Sequence, residues 1–406
     1  MSKARNLGSL GEDILKHALN TIQSEDNVHP AIVNLYLRHD DVPANGTLTV
    51  AGVTRNLPTS TKTVHVYADL APLHNWGHPV RHLFYDTGNG ALVHSEYHQF
   101  PPDDFDAGKA YEPFHVPLVH QDPPLANQEA VLGQRFFVPS LASIVGSLTF
   151  APLGVRYAIL FSGNSNNRHL NDLEFLYRVL IGKYKYDPKN IIVLNFDGTL
   201  NYNGGPQPVG NWPGNNTPYQ LHGHINGPGN LKAFDAAFAT VAGKLKPQDS
   251  LLIHTNNHGG DASSTPSHQP WLCGYPNYGL VYTATDFGVR IKSLPKHNSL
   301  IVGMEQCFSG GFMSPTIVNS PAVTTSFASA VPANMSSMGG PTFDPWAVSW
   351  IAAFNNANPN GTPLSLPVPA NPSTRQAFDY SNAVHVPGDL PQFSDKPAGS
   401  GTGQHL

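Results

Sequence analysis

The chain has 406 residues, a length that suggests two domains. Its formal net charge is −5 and its 23 Lys and Arg are scattered, which excludes the clustered basic face that nucleic-acid binding needs. A hydrophobic fraction of 40% supports a sizeable core, 37 Gly and 37 Pro imply many ordered loops, and two cysteines, Cys273 and Cys307, exclude a disulfide-built scaffold.

The opening segment lacks a continuous apolar stretch and a small-residue cleavage site, so no secretory leader is expected. Leu7, Leu10, Ile14 and Ala18 recur at helical spacing and predict an amphipathic helix. No apolar run approaches the roughly 20 residues that span a bilayer, so the expectation is a soluble, cytoplasmic protein with no membrane partner. Residues 62–69 alternate Val64 and Val66 with Thr63, His65 and Tyr67, the pattern of a half-buried strand. Residues 81–85 and 91–97 flank a turn signal at 86–90, and Pro pairs at 101–102 and 123–124 mark loops. Residues 1–150 therefore read as a β-rich domain, with a sandwich as one form of it. His74, His78 and His82 are four apart, but Gly77 and Pro79 interrupt a helix there, so no metal site is expected.

From about residue 156 short apolar strands alternate with helical patterns. The strands are residues 157–161, 191–196, 250–255, 299–304 and 322–327. Helical faces appear with Leu173, Leu176 and Leu180, with Phe234, Phe238 and Val241, and with Trp346, Trp350 and Phe354. This alternation predicts an α/β fold with a mostly parallel sheet covered by helices on both faces. Active sites in such sheets lie beyond the carboxyl ends of the strands. From residue 355 the composition turns to Pro, Asn, Gly and Ser, which predicts an extended surface tail with a flexible end. The expected division is 1–150, 151–360 and 361–406.

Two strand ends carry reactive residues next to glycine. One is Asn256-Asn-His-Gly-Gly260 and the other is Glu305-Gln-Cys-Phe-Ser-Gly-Gly311. A thiol attacks an amide as its thiolate, so a neighbouring imidazole must take the proton. His258 and Cys307 at neighbouring strand ends supply that pair, and the N–H groups of Gly259 and Cys307 are candidate oxyanion donors. His258 precedes Cys307 by about 50 positions, the order and gap of caspases and the reverse of papain-like enzymes. Cys273, within Trp-Leu-Cys-Gly-Tyr, reads as a core residue.

Several motifs in order resemble the legumain (asparaginyl endopeptidase) family of caspase-like cysteine peptidases, over about residues 157–354. They are YAILFSGNSNNRH, NIIVLNFDG, NGGPQPVGNWPGNNTPYQ, LKPQDSLLIHTNNHGG, LIVGMEQCFSGGFM and FDPWAVSWIAAF. The resemblance implies a caspase-like fold and a thiol protease hydrolysing peptide or protein substrates, with no cofactor. It implies His258 and Cys307 as the dyad, with Asn166 orienting the histidine. Arg168, Glu305 and Asp344 would form the pocket for an asparagine side chain, with His169 and Ser336 or Ser337 beside it. Arg168 would donate to the amide carbonyl and a carboxylate would accept from the amide nitrogen. Protonation of Glu305 or Asp344 at low pH would widen acceptance to aspartate. Asn257 departs from the family's aspartate, Gln306 from its small residue, and the family's C-terminal prodomain is absent. A transamidase or ligase, and a non-enzymatic binding protein on the same scaffold, are the alternatives. Residues 1–150 lie outside the resemblance, and an inhibitory or substrate-positioning role is the expectation for them.

Overall fold

The computed structural model describes residues 7–26, 28–30, 33–50, 52–70, 72, 79–98, 100–105, 110–116, 154–203, 210–260, 269–276 and 279–406. The expected Pro123-Pro124 loop, and His74 and His78, lie outside the described residues.

The N-terminal part carries α1 (Ser9–Glu25), β1 (Asn34–Arg38), β2 (Thr47–Val50), β3 (Val53–Asn56), β4 (Thr63–Asp69), β5 (Val80–Asp86), β6 (Leu92–His98) and β7 (Tyr111–His115). Five of these strands form an antiparallel sheet in the order β6-β5-β4-β1-β7, and β2 and β3 form a separate hairpin. The β5–β6 turn closes because Asp86 Oδ1 accepts from Gly88 N at 2.8 Å and Asn89 N at 3.1 Å, while Gly90 takes a left-handed φ of 70°. A sandwich does not form from these strands. The apolar face of the sheet, with Leu35, Val64, Val66 and Leu83, is instead covered by Ile14, Ala18 and Ile22 of α1. Each Leu, Ile or Val among them contributes about 1.5–3 kcal/mol when fully buried. Arg81 fixes the end of the helix through Glu25 at 2.6 Å and Asp26 at 3.0 Å.

β4 is buried on both faces rather than half-buried. On the face away from α1, His65 Nε2 lies 3.1 Å from His82 Nδ1, and Tyr111 OH lies 3.0 Å from His65 Nδ1. Burial pushes His82 down to about 3 and holds His65 well below the usual imidazole range, so both rings are neutral at physiological pH.

The second part carries β8 (Arg156–Ser162), α2 (Asn167–Gly182), β9 (Ile191–Asn195), α3 (Leu231–Ala242), β10 (Ser250–Thr255), β11 (Gly259–Gly260), β12 (Trp271–Gly274) and β13 (Gly279–Thr283). It continues with α4 (Ala284–Lys292), β14 (Ser299–Met304), α5 (Met313–Asn319), β15 (Thr324–Ser329), α6 (Pro345–Asn355), α7 (Thr374–Ala383) and β16 (Gln392–Lys396). The main sheet runs β16-β15-β14-β10-β8-β9 and is parallel except for β16. Alternate residues of β8 enter different cores, as period-2 geometry requires. Ala158 and Leu160 join Leu173 and Leu176 of α2 and Trp346 and Ile351 of α6. Tyr157, Ile159 and Phe161 join Phe234 and Phe238 of α3 and Phe287 of α4. The fold is therefore α/β with both faces of the sheet covered.

Strand boundaries differ from the sequence reading by one or two residues. β9 stops at Asn195 because Phe196 turns to φ 38°, and β15 begins at Thr324, with Ala322 in the preceding turn. The tail also differs from its expectation. A capping box at Ser373 and Gln376 starts α7, and β16 adds an antiparallel edge to β15. Gln404 Nε2 then donates to Ser299 Oγ at 2.6 Å and to Leu300 O at 2.9 Å, so the end of the chain is pinned against the sheet. Among the described residues no helix is long and apolar enough to cross a membrane.

Candidate active site

Three parallel strands end level with one another. Thr255 of β10 lies opposite Phe161 of β8 and Met304 of β14. The loops that follow therefore emerge together, and they contain Asn166, His258 and Cys307. Gly259 shows how closely two of them approach. A Cβ there would lie 2.2 Å from the Cys307 carbonyl oxygen and 2.9 Å from Gln306 Cγ, so the contact accepts only hydrogen. Gln306 reinforces it, since Thr255 Oγ1 donates to its Oε1 at 2.6 Å.

Asn257 joins three loops at once. Its Oδ1 accepts from Gly163 N and Asn164 N, both at 3.0 Å, and its Nδ2 donates to Cys273 O at 2.6 Å. A carboxylate can accept the first two bonds but cannot donate the third. The asparagine at this position is thus explained by structure, and the sequence showed it only as a departure from a family pattern.

Asn166 is the N-cap of α2. In the carboxamide orientation that the surrounding donors require, its oxygen accepts from His258 Nε2 at 3.3 Å and from both terminal nitrogens of Arg168 at 3.2 Å. With its proton on Nε2, His258 keeps Nδ1 as the basic nitrogen. His169 packs edge-on against His258, with ring centroids 4.6 Å apart and an interplanar angle of 73°. Its Nδ1 accepts from Asn166 N at 3.1 Å, which leaves the proton on Nε2, 3.4 Å from Asp344 Oδ2. Burial, with the nearby Arg168 charge, holds His169 far below the ordinary imidazole value. His169, expected beside the substrate pocket, is fully buried against the His258 ring.

Arg168 and Asp344 form an ion pair at 2.9 Å. Asp344 is the N-cap of α6, where the helix dipole favours a negative charge, and its backbone N–H donates to Asp172 Oδ2 at 2.8 Å. Glu305 is fully buried. Burial first, then Asp344, Asp389 and Asp172, raises its carboxyl well above the usual range. Asp172 is raised in the same direction by burial and then Asp344. Asp389 arrives from the C-terminal segment, accepts from Met338 N at 2.8 Å, and is pushed up to about 7, chiefly by burial. Sequence reasoning missed Asp172 and Asp389. The first looked like a polar helix position, and the second lay in the expected surface tail.

Ser337 Oγ lies 3.9 Å from Cys307 Sγ, and Ser336 also bonds the sulfur, so both serines sit at the thiol. Phe308, directly after the cysteine, takes a left-handed φ of 62°, a strained conformation for a bulky residue. Its N–H is held by Met335 O at 2.7 Å, which keeps the sharp turn closed. Cys307 and His258 are both fully buried. Burial pushes the thiol up to about 12 against the opposing effects of Ser337, Ser336 and Arg168. The sequence placed the nucleophile at a strand end; the strand end is as expected, and the side chain there is fully buried. Both cysteines are free thiols. Among the described residues no group of three or more His, Cys, Asp or Glu is placed to hold a metal ion. A cavity of about 530 Å³ lined by Tyr177, Tyr219, His222 and His224 shares no residue with this site.

No family model matches the chain, and no curated protein matches it. Among solved structures, a structural-genomics target protein from Geobacter sulfurreducens superposes with a TM-score of 0.38 at 11% identity, covering 61% of this chain and 96% of its own. A secreted C11 cysteine protease from Bacteroides thetaiotaomicron, solved with an irreversible peptide inhibitor, gives a TM-score of 0.29 at 14% identity, covering 50% of this chain and 54% of its own. Both scores lie below one half, and the functional reading rests on the geometry of the site.

Proposed function

We propose that the chain is a caspase-like cysteine endopeptidase with Cys307 as nucleophile and His258 as base. The observation that carries this reading is the meeting of the two loops: Gly259 packs on the Cys307 carbonyl, while Asn166 occupies Nε2 of the histidine. His258 Nδ1 takes the proton from Sγ, and sulfur attacks the peptide carbonyl carbon. The N–H groups of Gly259 and Cys307 receive the developing oxyanion. The imidazolium then gives its proton to the leaving amine, and water hydrolyses the thioester.

The side chain preceding the cut is asparagine. Arg168, fixed by Asp344 and Asn166, donates to its amide oxygen, and Asp344 accepts from its amide nitrogen. Glu305, whose carboxyl is raised by burial and by Asp344, adds a donor when it is protonated, and aspartate is then accepted beside asparagine. A buried pocket of paired donors and acceptors discriminates strongly against side chains that leave it unpaired. Because the sulfur is fully buried with Ser337 against it, substrate entry on this reading requires a rearrangement around the thiol.

That same burial favours a second reading, a binding protein on a silent scaffold. An electrophilic peptide probe with asparagine at its reactive end separates the two. The peptidase labels at Cys307 and cleaves a peptide library after asparagine, and Cys307→Ala does neither. A folded wild-type chain that never labels supports the silent scaffold.

A further inference from the structure

We infer that Phe100 and Trp271 are positioning residues through which the N-terminal sheet holds His258 in place. The path begins at β11, which follows His258 directly. Gly260 pairs with Trp271 and Gly259 pairs with Leu272 of β12. Cys273 N donates to His258 O at 3.1 Å. The Trp271 ring lies against Gly260, where a Cβ would come 2.0 Å from Trp271 Cε2. The histidine loop is therefore only as well placed as β12 and its tryptophan.

β12 is supported from the N-terminal part. Trp271 and Cys273 share one apolar cluster with Val42, Leu48, Val50, Leu57, Phe84 and Phe100. The Phe100 and Trp271 ring centroids are 6.1 Å apart. Phe100 cannot drift freely, because the segment after it is stitched to the hairpin. Val50 bridges Pro102, and Asp103 N donates to Thr49 O at 2.9 Å. The chain of contacts runs from hairpin to Phe100, to Trp271, to Gly260, to His258. Close packing transmits a displacement along such a chain, since no link has space to absorb it.

The consequence at sulfur rests on the peptidase reading, but the mechanical link does not. Backbone hydrogen exchange and Cys307 alkylation together test both. In Phe100→Ala, exchange over residues 258–260 rises by about tenfold while β14 keeps its protection, the signature of local opening. Iodoacetamide reacts with Cys307 about tenfold more slowly at pH 7, and the pH profile of the reaction moves. Phe100→Leu, which refills the space, restores both. Should Phe100→Ala fail to fold, Val50→Ala loosens the same cluster and carries the same expectation at smaller size. A folded Phe100→Ala with wild-type exchange at 258–260 overturns the inference. Altered exchange in Phe100→Ala, together with a wild-type chain that cleaves no peptide, overturns the peptidase reading and leaves the buttress standing.

Discussion

Two groups of buried histidines differ in what lies next to them. In the N-terminal sheet, His65 and His82 sit in mid-strand, their rings locked to each other and to Tyr111. At the end of the main sheet, His258 sits one loop beyond β10, with its Nε2 occupied by Asn166 and its neighbouring glycine against a cysteine carbonyl. Mid-strand histidines have ladder neighbours on both sides and no route to a substrate. A histidine beyond the strand has one side fixed and one side that a moving loop can expose. Burial alone therefore does not mark chemistry; position relative to the strand end does.

The largest expected difference between the two regions is in turnover. Cys307→Ala and His258→Ala each remove about 10³-fold or more of peptide cleavage, measured with an asparagine-containing substrate. His65→Ala leaves cleavage near wild type in the folded fraction but lowers the unfolding free energy by about 2–4 kcal/mol, read from denaturant titration. Equal loss of turnover in His65→Ala breaks the comparison. Asn257→Asp comes next. It removes the donor to Cys273 O in a buried site and costs about 1–3 kcal/mol by the same titration, with cleavage reduced as the loops loosen. An unchanged midpoint contradicts the bridging role. Asn166→Ala lowers kcat/KM by about 10- to 100-fold, with kcat falling because the His258 ring is freed and KM rising because Arg168 loses one of its two anchors.

The last comparison concerns the pH dependence that Asp389 brings. Its carboxyl is raised in the folded chain to about 7, so the folded state binds its proton more tightly than the unfolded state does. The stability this gives is fully present below the unfolded value, roughly 3.9, and is lost as pH rises through about 7. The Asp389 contribution accordingly falls between pH 4 and pH 8, so over that window the wild type loses stability relative to Asp389→Asn, while the depressed histidines act alike in both chains. A slope equal in both chains places the titrating group elsewhere.

Much of this arrangement was legible in the residues. The apolar runs gave the core strands because parallel strands buried on both faces need them, and the glycines marked where Gly259 meets Cys307. Asn166 and Arg168 were found through an ordered set of motifs. The closed state of the site was not legible, because it depends on Ser337 and on Asp389 folding back from a segment whose composition reads as loop. The contact of Trp271 with Phe100 joins residues far apart in the chain, and no local pattern announces it. The helix that replaces a second sheet on β4 was visible as an amphipathic segment, but nothing local fixed its partner.

The most direct test is the pH profile of Cys307 alkylation in the wild-type chain and in His258→Ala. If His258 sets the reactivity of the sulfur, the wild type reacts through a limb below the free-thiol value of about 8.5, and His258→Ala reacts only above it. Superimposable profiles contradict the account.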